Sequence, residues 1–212
     1  MSALVCLVAD KNMEAVFSAL LDKRRRPALG IGDFQVEIQV HPQRDPGCYH
    51  TGPEWLQGIL DERDARGLLV FDQAWDGNPH SSALETEGVV RQRFDSLGIG
   101  GRAEVVVIEP ELEVWVWSAS PHVDEVFGWG GVDPPLRQWL RQQGLWPPGY
   151  PKPPDPKAAV ESVLRRRRIP RSSSLYRRLA ARVSLQGCRD PAFNRLRRLL
   201  IGWFASQGID AG

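Results

Sequence analysis

The sequence predicts an α/β fold, a mostly parallel sheet flanked by helices, with a basic helical extension at its C-terminal end. Three observations carry that expectation. Apolar runs at residues 4–9, 68–71 and 105–108 have the length and β-branched content of strands buried on both faces. The segments between them have helical spacing, so strand and helix alternate as in parallel sheets built from crossover units. Charge is divided along the chain: residues 1–150 hold 13 Lys/Arg against 22 Asp/Glu, and residues 151–212 hold 14 against 4.

The first strand runs into a helix over residues 12–23, where Ala15, Val16, Ala19 and Leu20 recur at helical spacing. Gly30 and Gly32 flank a turn, and residues 34–40 alternate as a second strand that ends at His41-Pro42. A loop over residues 41–52 leads to a helix over 53–66, whose buried face is Trp55, Leu56, Ile59 and Leu60. Gly67 punctuates before the third strand at 68–71. A helix over 82–97 and a strand over 103–108 complete the alternation. Beyond Glu109 an apolar segment with Leu112, Trp115, Val116 and Trp117 precedes a short helix at 136–143. Six prolines then crowd residues 147–156, a linker or rigid surface loop between an α/β domain of residues 1–146 and a helical extension of residues 157–212 packed upon it. Asp155-Pro156 is an N-cap followed by proline at the first helical position. Helices follow over 156–168, 173–183 and 191–204, the last with Phe193, Leu196, Leu200 and Trp203 on one stripe.

An apolar fraction of 42% with eight tryptophans is ample for a packed core. Three widely spaced cysteines, Cys6, Cys48 and Cys188, fit a reducing cytoplasm rather than a disulfide scaffold or zinc knuckle. No apolar run approaches a membrane span, and the first strand lacks the basic start of a signal peptide. A phosphate-binding loop, HExxH, CxxC and GxSxG are all missing, which sets aside nucleotide-driven motors, zinc hydrolases and serine hydrolases.

Three apolar runs stop at a carboxylate: Asp10, Asp72 and Glu109. Ligands of open α/β sheets sit outside the carboxyl ends of the strands. Acids at three such ends would crowd negative oxygens into one crevice, where a hard divalent cation relieves their repulsion. The plainer account is that these acids cap the helices that follow. Asp10 with Glu14, Asp72 with Asp76, and the series Glu109, Glu111 and Glu113 repeat the pattern after three strands. Of the series, Glu113 is expected in the crevice, and Glu109 and Glu111 in solvent. Glu85 and Glu87 are expected on a helix surface. Asp76-Gly77 also suits an ordinary turn. His41, Asp45, Cys48 and His50 fit no standard zinc spacing. Trp75, between Asp72 and Asp76, could stack on a base.

These residues resemble a Toprim-related family of prokaryotic defence islands. Val8-Ala9-Asp10-Lys11-Asn12-Met13-Glu14 is similar to that family's V-E-G-x-T-E-like stretch, with Asp10 in place of glutamate. Leu69-Val70-Phe71-Asp72 is similar to its D-x-D-like motif, although Ala74 stands where the second aspartate belongs and Asp76 is the nearest acid to replace it. Glu113-Val114-Trp115 is similar to its E-A-W sequence, and Lys152-Pro153, Pro156-Lys157, Tyr176 and Cys188 with Phe193 resemble features of its tail. Nearly the full length is similar to small accessory proteins of bacterial methylation-associated anti-phage defence systems. His41-Pro42, Asp45-Pro46-Gly47-Cys48, residues 110–117, Asp155-Pro156-Lys157-Ala158 and Trp203-Phe204 carry that similarity further.

The resemblance implies a Toprim or Rossmann-like sheet and a role in phage defence. It also implies Mg2+- or Mn2+-dependent phosphodiester chemistry on nucleic acid, with Asp10, Asp72 and Asp76 as metal ligands and Glu14 or Glu113 completing the shell or relaying a proton. The alternative is a non-catalytic sensor or adaptor that binds nucleic acid or partner defence proteins. Lys157, Arg165, Arg166, Arg167, Arg168, Arg171, Arg177 and Arg178 are the expected nucleic-acid contacts, since arginine suits bidentate phosphate recognition. The competing expectation is that the basic tail docks on the acidic body of its own chain.

Overall fold

The computed structural model describes residues 3–118, 120–183 and 188–205. Four strands, β1 (Ala3–Val8), β2 (Gln35–Val40), β3 (Arg66–Asp72) and β4 (Ala103–Ile108), form one all-parallel sheet in the order β2-β1-β3-β4. The fold is α/β and Rossmann-like. Parallel strands need crossovers that cover the faces, so a central strand must be apolar on both sides. The central β1 and β3 meet that demand, with Leu4 to Val8 and Leu68 to Phe71 all buried, and the edge strand β4 is buried from Val105 to Ile108 as well. β2, on the sheet edge, instead exposes Gln35 and Glu37, and Glu37 pairs with Arg63. Charge on an edge strand discourages pairing with another chain.

Helices α1 (Lys11–Leu20) and α2 (Arg26–Leu29) join β1 to β2, α3 (Arg44–Glu62) joins β2 to β3, and α4 (Ala83–Ser96) joins β3 to β4. The chain leaves β1 for β2 on one side and returns to place β3 on the other. The order therefore reverses at β1, and the crevice beyond β1 and β3 is the switch point where such sheets take ligands. The register pairs Val8 with Val70, which brings Asp10 and Asp72 out at neighbouring strand ends.

The structure turns one expected loop into helix. α3 starts at Arg44, so most of residues 41–52 is helical despite Pro46, Gly47, Gly52 and Pro53. Pro46 lies in the first turn, where a backbone N–H has no helical acceptor to lose. Pro53 lies inside and frees the Tyr49 carbonyl, and the Arg93 guanidinium donates to that carbonyl and to His50 O. Gly47 lets the helix start pass over the His41 ring: a Cβ there would stand 2.1 Å from His41 Nδ1.

After β4 the apolar segment is a short 3-10 turn, Leu112–Trp115, followed by α5 (His122–Val126) and α6 (Leu136–Gln142). The basic extension is α7 (Pro156–Arg167), α8 (Ser173–Arg182) and α9 (Pro191–Phe204). Asp155, Ser172 and Asp190 cap them through Ala158, Leu175 and Phe193 N–H groups. α7 lies against the 3-10 turn, α8 against α1 and α9 against β4. Phe204 stacks on Phe34 with ring centroids 4.0 Å apart. The proline-rich segment is tied down by Lys152, whose Nζ donates to Val114 O at 2.8 Å.

Glu87 departs from its expected helix surface. It is fully buried, where it accepts from Val107 N–H at the open edge of β4 and from Arg195 on α9. No helix among the described residues is long and apolar enough to cross a membrane.

Candidate metal centre

β3 ends by carrying Asp72 out of the core, and the 3-10 turn after β4 returns Glu111 and Glu113 to it. One carboxylate oxygen from each of Asp72, Glu111 and Glu113 lies within 4.8 Å of the other two. Glu111 and Glu113 are 7% and 2% exposed, so this is a sheltered cluster rather than a solvated acidic face. Hard oxygen donors at that separation are the donor set that Mg2+ or Mn2+ prefers.

The three carboxylates have unequal partners. Glu113 Oε1 accepts from Tyr176 Oη and, at 2.6 Å, from Arg171 Nη2. Glu111 Oε2 accepts from Lys157 Nζ at 3.0 Å. Asp72 Oδ1 is buried and has no hydrogen-bond partner. Two cations thus face three acids. Burial, then the charges of Asp45, Glu113, Glu111 and Asp10, push the Asp72 carboxyl well above the ordinary aspartate range. A cation among the three acids would oppose that shift. Burial also raises Glu111, a shift that its contact with Lys157 offsets in part.

A fourth acid stands behind the cluster. Asp45, in the first turn of α3, accepts the Asp72 backbone N–H through Oδ1 at 2.9 Å and so fixes the end of β3. Its own carboxyl is raised, by burial first and then by the charge of Asp10. Asp10 emerges beside Asp72, but its Oδ1 accepts from Asn12 and Met13 N–H as the N-cap of α1. It shapes the field of the cluster while serving the helix.

Three expected site residues are therefore not members of the cluster: Asp10, which caps α1, and also Glu14 and Asp76. Glu14 sits on α1, paired with Lys11 at 2.8 Å, beside Val36 and Ile38 of β2. One helical turn beyond the cap is enough to carry it away from the strand ends. Asp76 is exposed in a turn closed by Gly77 in the left-handed region at φ 87°. Glu111 was expected in solvent and is instead a member. Glu111 is the extended residue that leads into the 3-10 turn carrying Glu113, and this change of backbone, which brings the two acids together, has no spacing signature in the sequence. Tyr176 and Asp45 belong to the site through long-range contacts that no local spacing announces.

Trp75 is half-buried in a group of aromatic rings. Trp75 packs against Tyr49 and His50, and Tyr49 Oη meets His80 Nε2 at 2.8 Å. His41 is buried against Thr51, and Cys48 is buried with its thiol pushed up by burial and by Asp45. They form no metal-ligating group with Asp45 and His50 among the described residues.

The basic residues divide into two sets. Lys157 and Arg171 serve the acidic cluster, as the self-docking expectation required for part of the tail. Arg165, Arg166, Arg167 and Arg168, at the end of α7, and Arg177 and Arg178 on α8 are exposed and have no ion pair among the described residues. The chain matches no family model, no curated protein and no solved structure.

Proposed function

We propose that this chain is a nucleic-acid-binding component of an anti-phage defence system, with a divalent-cation site at Asp72, Glu111 and Glu113 that serves phosphodiester cleavage. The observation that carries this reading is Asp72, which has a buried, partnerless Oδ1 and one carboxylate oxygen within 4.8 Å of oxygens of Glu111 and Glu113. A buried polar atom without a partner costs roughly 1–3 kcal/mol, and a cation at that point removes the cost. The donor chemistry fits Mg2+ or Mn2+. The Toprim resemblance at Asp72 and Glu113 supports the same assignment, although it also implied Asp10 and Asp76, which lie outside the cluster. A bound ion would supply positive charge to stabilise a scissile phosphate. The chain's own part is positional. Tyr176 and Arg171 hold Glu113 in one rotamer, Lys157 holds Glu111, and Asp45 fixes the backbone under Asp72. The unpaired arginines of α7 and α8 offer phosphate contacts outside the crevice.

The second reading is a non-catalytic sensor or adaptor. It is favoured by Lys157 and Arg171, which already neutralise two of the three acids from within the chain. One experiment separates the two. Wild type and Asp72→Ala are melted with and without millimolar Mg2+ or Mn2+, and assayed for cleavage of single- and double-stranded DNA and RNA. Metal-dependent stabilisation and cleavage, both lost in Asp72→Ala, support the enzyme. A wild type whose melting ignores both metals and which cleaves none of these substrates is an adaptor.

A further inference from the structure

A cavity of about 700 Å³ opens between α1, α8 and the segment after β4, and shares Tyr176 with the acidic centre. That volume is in the range of small-molecule pockets. Its walls are rings and aliphatic chains whose polar atoms are engaged elsewhere. Trp115 Nε1 donates to Asp190, Trp117 Nε1 to Pro156 O, and Tyr176 Oη to Glu113. The indoles and the phenol therefore turn apolar surface to the cavity, beside Leu20, Leu112 and Phe193.

The charged lining has one sign. Lys152, Arg137, Arg182 and Arg189 all line the cavity, and among the described residues no aspartate or glutamate does. This is unusual company for a chain that carries 26 acids. Lys152 is held by Val114 O and Asp190, and Arg137 by Ser118 O. Arg182 lies 3.9 Å from Glu125, and Arg189 has no hydrogen bond or ion pair among the described residues. Ser120 Oγ, also in the lining, is buried without a partner. An apolar body with polar needs only at one end satisfies this arrangement; a sugar or peptide would bury polar groups against rings that cannot pair them.

We propose that this cavity is a binding site for a small amphipathic anion, a carboxylate or phosphate on an apolar aromatic or aliphatic body, with Arg189 as the residue that receives the anion. The tryptophan and phenylalanine faces take the body.

Isothermal titration calorimetry on the full chain tests this with naphthaleneacetate and octanoate as probes, each against its neutral alcohol. Saturable binding by at least one acid, about tenfold tighter than its alcohol, is expected, since one charge-assisted contact is worth about that factor. Comparing the two acids tells an aromatic from an aliphatic body. Arg189→Glu, an exposed substitution, should weaken the acid about tenfold or more and leave the alcohol unchanged. Ala180→Trp, which fills the cavity from α8, should abolish both while the melting curve stays cooperative. The proposal is overturned if neither acid binds saturably, if acid and alcohol bind alike, or if Arg189→Glu leaves acid binding unchanged. These readouts do not involve Mg2+, so the fate of the acidic centre does not affect them.

Discussion

Replacing Asp72 by asparagine should stabilise the metal-free protein at neutral pH, although the residue lies at the heart of the proposed site. In the folded chain burial and neighbouring acids raise the Asp72 carboxyl well above 3.8. The folded state thus keeps its proton there to higher pH than the unfolded state does. Stability from this group is fully present below the unfolded pKa and drains away as pH rises towards the folded one. The loss is about 1.4 kcal/mol for each pH unit over which the two states differ by a whole proton. Asparagine does not titrate, and its amide can donate to Glu111 or Glu113. A hydrogen bond to a charged group contributes about 1.5–3 kcal/mol. Part of that gain is offset by the proton that wild-type Asp72 carries, so a net gain of about 1–2 kcal/mol is expected. For a domain of this size each kcal/mol moves the melting midpoint by about 2–4 °C. Urea unfolding with chelator at several pH values between about 5 and 8 should show wild type losing stability relative to Asp72→Asn as pH rises. Adding Mg2+ at a hundredfold excess over its Kd should then stabilise wild type by about 2.7 kcal/mol and leave the variant unmoved. A variant less stable than wild type at the upper pH, with parallel curves, would refute the claim that Asp72 is an unrelieved buried acid.

Other perturbations probe the supports of the site. Arg171→Ala leaves Glu113 with Tyr176 alone, and should cost about 1–3 kcal/mol in urea unfolding, less than a fully buried pair because Arg171 is partly exposed. Gly47→Ala places a methyl against the His41 ring and should cost about 1–3 kcal/mol, with weaker Mg2+ stabilisation because the α3 start that carries Asp45 must move. Changing Arg165, Arg166, Arg167 and Arg168 to alanine should weaken nucleic-acid binding and lower the salt slope by about 0.7–0.9 for each phosphate no longer neutralised, measured by fluorescence anisotropy; an unchanged slope would assign phosphate binding to other residues. Burial pushes all three thiols up, and Cys6 and Cys48 are buried while Cys188 is half-buried. Maleimide should therefore label Cys188 first in the native protein, with Cys6 and Cys48 reacting only on unfolding.

The sheet was legible in the sequence because double-sided burial writes an uninterrupted apolar run, and β1, β3 and β4 each carry one. Their order was not, since nothing local tells β3 to return past β1 rather than extend beyond β2. The start of α3 was hidden for a related reason. Pro46, Gly47 and Pro53 argue for a loop locally, and only the distant Arg93 side chain, on another helix, compensates the carbonyl that Pro53 leaves free.

The acids divide along the same line. Asp72 could be found from where an apolar run ends, and Glu113 from the acid series that follows the next such end, since both signals depend on the chain near each residue. Glu14 and Asp76 shared the same local spacing, yet a turn of helix and a glycine turn direct them away. Glu87 read as helix surface and is buried because β4 has an open edge and α9 supplies Arg195. The basic tail carries the same lesson into function. Composition marked it as polyanion-binding, but charge is neutralised locally wherever folding brings an acid within reach, and Lys157 and Arg171 are committed to Glu111 and Glu113. What remains for a partner is the set that folding leaves unpaired on α7 and α8. A nucleic acid that also competed for Arg171 would loosen Glu113 as it bound, so occupancy of the basic surface and the field at Asp72 are linked through a single guanidinium.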